Sequence, residues 1–181
     1  MRLAILDRGH RLGTKALFAL IRVVSRQPVV GAVKLALYRP DFYPAGPLTQ
    51  EAMRGPSAWS VGDRELMAAF VTKANANRCC VAAHSATSGI WYGDEAKVAA
   101  TLADLETAPI DEPLRATLRM LGKLSREHDV DGVSRQQIAD GLAVSLAFNV
   151  TARLADAFDF EVASPNAMNA GARYLLRRGY S

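Results

Sequence analysis

Apolar side chains recur along this chain at intervals of three and four, the period of a helix face. Between residues 12 and 38, Leu17, Phe18, Ile21 and Val24, then Val30, Val33 and Leu35, form two such stripes. Arg26-Gln27-Pro28 separates them, and proline breaks a helix, so two helices joined at Pro28 are predicted. From Arg39 to Trp59 four prolines and two glycines replace any period, and this stretch reads as a connector. Ser60, with Asp63 three residues on, opens a capped helix carrying Leu66, Met67, Phe70, Val71 and Ala74 to about Ala76; the next helix runs from near Asn77 to Trp91. Gly93-Asp94 opens a short helix through Ala96, Val98 and Leu102. Asp111-Glu112-Pro113, with proline in the first turn, opens another with Leu114, Leu118, Leu121 and Leu124. Ser134 and Gln137 form a capping box, Val133 and Ile138 a hydrophobic staple, and Ile138, Leu142, Leu146 and Val150 carry the stripe on towards Phe158. Val, Ile and Thr nowhere alternate with polar residues, and there is no internal repeat or Gly-rich phosphate loop. The fold class is therefore all-α, with a helical arm over residues 1–38, a connector over 39–59, a helical domain over 60–162 and a tail over 163–181.

Composition refines this picture in three places. With 181 residues and 50% hydrophobic content the chain can bury a core, which excludes a wholly disordered protein. Its two cysteines, Cys79 and Cys80, are adjacent; they suit neither a secreted disulfide framework nor a structural zinc site, which points to a cytoplasmic protein without a metal. The net charge of +4 is uneven: residues 1–40 carry eight Lys/Arg against one Asp, a net of +7, leaving −3 for residues 41–181. The longest apolar run of this basic arm, Ala16 to Ile21, stops at Arg22, far short of the roughly 20 residues that span a bilayer, so no transmembrane or export segment is expected. The arm is expected to pack on its own domain or on a sister subunit rather than on a membrane or nucleic acid.

The candidate chemistry sits in Asn77-Arg78-Cys79-Cys80-Val81-Ala82-Ala83-His84. Cys80 and His84 are four residues apart and share a helix face, about 5–6 Å apart at Cβ. If Asn77 caps this helix, Cys80 falls in its first turn, where free backbone N–H groups and the helix dipole favour a nucleophilic thiolate. Each residue also has a plainer reading. An isolated cysteine is usually a small buried hydrophobe, a lone histidine a satisfied core residue, and a glutamate such as Glu65 a solvated helix face. His10 and His128 read as surface residues, and Trp91 and Tyr92 as aromatic packing more than as pocket walls.

Spacing changes the weighting. Glu65, position 77, Cys80 and His84 lie in the register in which the carboxymuconolactone decarboxylase/alkylhydroperoxidase (AhpD-like) family carries Glu, Cys-x-x-Cys and His on two consecutive helices. Cys80-Val-Ala-Ala-His-Ser85 and Phe148-Asn149-Val-Thr-Ala-Arg153-Leu-Ala-Asp156-Ala157 resemble the peroxidase-related branch, and the resemblance spans residues 60–162. It departs at one position: the first Cys of the motif falls on Asn77, and Cys79 stands where relatives often have Tyr or His. The resemblance implies catalytic roles for Cys80, His84 and Glu65, auxiliary ones for Cys79 and Asn77, and no cofactor. It implies a thiol-dependent peroxidase taking hydrogen peroxide or a small organic hydroperoxide in a one-cysteine cycle with an external thiol reductant. A vicinal Cys79–Cys80 bridge would be strained, since consecutive Cα atoms are about 3.8 Å apart against the roughly 4.4–6.8 Å of disulfides. Two alternatives remain, a decarboxylase-type lyase on an acid substrate with His84 and Glu65 moving protons, and a non-catalytic helical oligomer with a relic site. Family resemblance also implies a homo-oligomer, a trimer or a hexamer.

Overall fold

A computed structural model of the protein describes residues 4–40, 47–124 and 134–180; Val133 and His128, named above, lie outside them. Ten α-helices and no strands make up the described residues: α1 Ile5–Arg8, α2 Leu12–Ser25, α3 Gly31–Tyr38, α4 Pro47–Arg54, α5 Val61–Ala74, α6 Arg78–Tyr92, α7 Glu95–Ala103, α8 Glu112–Leu124, α9 Arg135–Ala157 and α10 Pro165–Arg178. Their starts obey local chemistry. Ser60 and Ser134 close reciprocal capping boxes with Asp63 and Gln137, and Asn77, Asp94 and Ser164 each accept a backbone N–H of the first turn. The arm breaks where Arg26 enters the left-handed region, φ 55°, just before Pro28.

Helix α5 is central. It packs on α6, α8 and α9 and is buried nearly all round: Gly62, Leu66, Met67, Ala68, Ala69 and Val71 are enclosed, and so are the polar Arg64, Glu65 and Thr72. Leu114, Leu118 and Leu121 of α8, Val98 of α7, and Val144, Ala147 and Phe148 of α9 complete the core. Close approach of α5 to α6 is set at Gly62, where an added Cβ would lie 2.2 Å from Cδ1 of Trp91. Trp91 is nonetheless about half exposed, whereas Tyr92 packs, partly buried, against the core and donates to Asp63 Oδ1 at 2.5 Å.

Several expectations need correction. The connector contains α4 and the tail contains α10, which lies along α6. Leu142, Leu146 and Val150 of α9 face outwards; the helix buries its opposite side, where Gly141, Ser145, Ala147 and Ala152 are small enough to let it approach the core closely. By length and composition α9 could cross a membrane, yet Val144, Ala147 and Phe148 on its inner side are core residues. The arm does pack on its own domain, but through α1 and α3: Leu6 and Leu35 form a second apolar cluster with Leu154, Phe158 and Phe160. Of the α2 stripe only Phe18 is buried, while Val24 is 76% exposed. His10 is buried too, donating from Nε2 to the Leu6 carbonyl at 3.0 Å and edge-on to Phe18 and Tyr38.

Candidate active site

Because α5 is enclosed, Glu65 is enclosed with it: its exposure is 0%, which removes the solvated-face reading. A buried carboxylate is costly unless donors meet it. His84 Nδ1 lies 2.7 Å from Glu65 Oε2, Arg54 Nη2 donates to Oε1 at 2.7 Å, and the Tyr180 hydroxyl donates at 3.0 and 3.1 Å to the two oxygens. Burial pushes the Glu65 carboxyl up, but the His84 hydrogen bond and the His84 and Arg54 charges outweigh it and hold the carboxyl below its usual range. The acid is ionised at neutral pH. His84 is also buried, with its ring edge-on to Phe148 at 4.2 Å between centroids.

About two turns before His84, at the N-cap of α6, Asn77 is almost fully buried and ties the helix to α9. Its Oδ1 accepts the Cys80 N–H at 2.7 Å, and its Nδ2 donates to the Ala152 carbonyl at 3.0 Å and to Asp156 Oδ1 at 2.5 Å. The residue standing in place of the first cysteine is thus a cap and a clamp between helices.

The same clamp works against a thiolate. Cys80 is buried, its own N–H is taken by Asn77, and the Asp156 carboxylate is close; burial first, then Cys79 and Asp156, push the thiol up to about 12. Cys79, half-buried, is raised as well, by burial and then Asp156, and its thiol points at the Glu161 carbonyl, 3.7 Å away. The resting thiols are therefore neutral, where the sequence alone favoured a first-turn thiolate; the two cysteines are free. Among the described residues no hydrogen bond joins the Cys80 thiol to His84.

Glu65 and His84 thus meet directly, Cys80 stands one helical turn from His84, and Asn77 and Cys79 flank it. Arg54 and Tyr180 join Glu65 from segments that had carried no candidate. Among the described residues no group of three His, Cys, Asp or Glu side chains could hold a metal ion. A surface groove of about 570 Å³, lined by Lys73, Ala76, Arg78, Val81, Ala82 and Val162, contains none of Glu65, Cys80 or His84.

No protein-family model and no curated protein matches the chain, whereas solved structures do. An uncharacterized peroxidase-related protein from Silicibacter sp. TM1040 aligns with a TM-score of 0.69 and 22% identity over 84% of this chain and 85% of that one. An uncharacterized peroxidase-related protein from Ralstonia eutropha JMP134, described as an alkylhydroperoxidase AhpD core, aligns with a TM-score of 0.72 and 19% identity, covering 92% and 93%. The chain has the AhpD-like fold. At those coverages the likeness extends beyond residues 60–162, so most of the described arm or tail shares the architecture of the AhpD-like core.

Proposed function

We propose that the chain is a one-cysteine, thiol-dependent peroxidase acting on hydrogen peroxide or a small organic hydroperoxide through Cys80. The observation that carries this reading is the buried Glu65–His84 hydrogen bond of 2.7 Å, on the same α6 face as Cys80. Nδ1–H held by Glu65 leaves Nε2 of His84 to take the Cys80 proton. The thiolate sulfur then attacks the peroxide O–O bond, forming an S–O bond and expelling ROH once the proton is returned. The sulfenic acid condenses with an external thiol, releasing water and giving a mixed disulfide, and a second thiol frees Cys80 as the disulfide of the reductant. With Asn77 in place of a resolving thiol, and the vicinal Cys79 on a rigid helix, the reductant comes from outside the site. A thiol neutral at rest makes the enzyme slow.

Peroxide consumption with a small thiol reductant tests this. Cys80→Ser should abolish it and Cys79→Ser should change it little; equal loss in both would make the vicinal pair the redox couple. The neutral thiol also favours a second reading, a lyase in which His84 and Glu65 move protons on an acid substrate and Cys80 is incidental. Turnover of such an acid that persists in Cys80→Ser would support it.

We also propose self-association as a trimer or a multiple of one. Leu12, Leu20, Val23 and Val24 of α2 are each more than half exposed on one helix side, an apolar surface that a sister subunit would cover.

A further inference from the structure

Of the three donors that meet Glu65, two come from outside residues 60–162. Arg54 ends α4; its Nη1 donates to the Met53 carbonyl at 2.7 Å, and its Nη2 bridges Glu65 Oε1 at 2.7 Å and the Leu175 carbonyl of α10 at 3.3 Å. Tyr180 follows α10. Its backbone N–H is held by Gln50 Oε1 at 2.6 Å, its ring lies 5.1 Å from the Arg54 guanidinium carbon, and Phe148 approaches it edge-on. Two segments far apart in the chain, α4 and the turn after α10, therefore converge on a carboxylate that α5 alone would leave unpaired.

The distances distribute the protons. His84 Nδ1 is 2.7 Å from Glu65 and 3.3 Å from the Tyr180 oxygen, so the imidazole proton belongs to the shorter contact. The single Tyr180 hydroxyl proton then goes to the carboxylate, 3.0 to 3.1 Å away. Arg54 Nη2 holds the other carboxylate oxygen, Oε1, at 2.7 Å, which leaves Oε2 facing Nδ1.

We infer that Arg54 and Tyr180 are positioning residues: Arg54 keeps Glu65 ionised, Tyr180 occupies its remaining lone pairs, and together they hold His84 as the Nδ1–H tautomer with Nε2 free to accept a proton. Only the identity of the proton that Nε2 accepts rests on the peroxidase reading; the tautomer does not.

The test is nitrogen NMR of the full-length protein carrying ¹⁵N-histidine, with His84 assigned by its loss in His84→Gln. At pH 7.5 the wild type should show a protonated Nδ1 and an unprotonated Nε2. Arg54→Gln should lower the Nδ1–H population, and Arg54→Lys should largely restore it. Tyr180→Phe keeps the ring packing and should lower the Nδ1–H population while circular dichroism stays unchanged. An Nε2–H tautomer in the wild type, or spectra that do not move in Arg54→Gln and Tyr180→Phe, would overturn the inference. Peroxide turnover is followed in parallel and should fall roughly tenfold in Tyr180→Phe, less than the ~10²-fold or more of a group that itself transfers the proton. If the spectra shift as stated while the wild type consumes no peroxide, the positioning role stands and the peroxidase reading fails.

Discussion

The neutral Cys80 thiol has a measurable consequence in alkylation. With the thiol pushed up to about 12, the thiolate fraction at pH 7 is about 10⁻⁵. An ordinary cysteine near 8.5 is about 3% thiolate at that pH, so Cys80 should react with iodoacetamide on the order of 10³-fold more slowly than a free thiol. The rate should climb about tenfold per pH unit from 7 to 10 without levelling, because each unit raises the thiolate fraction tenfold. Replacing Asp156→Asn removes one of the charges that disfavour the thiolate while keeping an oxygen for the Asn77 side chain, so it should accelerate Cys80 severalfold, roughly what a partial Coulomb term yields. Peptide mass spectrometry after timed alkylation separates Cys80 from Cys79, with the Cys79→Ser chain as control. A Cys80 rate that levels off below about pH 9 would refute the argument, since it would mean that the α6 N-terminus and His84 outweigh burial.

Three further outcomes follow from the same geometry. Asn77→Cys should raise peroxide turnover with a dithiol reductant by recreating Cys-x-x-Cys, while lowering stability by about 1 kcal/mol or more through loss of the α6 cap and of the bonds to Ala152 and Asp156; a urea melt beside the assay checks both. Stability should decline with alkali: the Cys80 thiol is raised on folding, so its contribution is complete below the unfolded value near 8.5 and is lost at up to about 1.4 kcal/mol per pH unit above it, a slope that urea midpoints at pH 8 to 10 should show and Cys80→Ala should flatten. Light scattering at micromolar concentration should give a trimer or a multiple of one; a monomer would contradict the proposed covering of α2.

Much of the fold was legible because the local signals were unopposed. The capping boxes at Ser60 and Ser134, the Asn77 and Asp94 caps and the proline in the first turn of α8 each mark a helix start that the structure contains. The missed helices were marked too: Ser164-Pro165 at one end of α10 and Arg177-Arg178-Gly179 at the other are a full pair of start and stop signals, and Pro47 opens α4. What periodicity could not resolve was orientation. The Leu142-Leu146-Val150 stripe looked inward by hydrophobicity alone, but the small residues on the other side of α9 decide which face meets the core. The spacing of Glu65, Cys80 and His84 gave the α5–α6 register. Whether Glu65 was a solvated face or a buried acid depended on α5 being enclosed, which only packing of α6, α8 and α9 around it could tell. Arg54 and Tyr180 left no trace in sequence, because 11 and 115 residues separate them from the carboxylate they serve. The thiolate reading failed for a similar reason: the first-turn position was legible, but the burial of Cys80 and the Asp156 carboxylate from α9 were not.

The central claim, that Cys80 is the peroxide-reactive atom of this site, is tested most directly by giving the full-length protein one equivalent of hydrogen peroxide at pH 8, trapping with dimedone and mapping the product by mass spectrometry. Cys80 should carry the sulfenic acid adduct, and the adduct should disappear when a thiol reductant precedes the trap and in His84→Ala. Cys80 unmodified, or the adduct confined to Cys79, would contradict it.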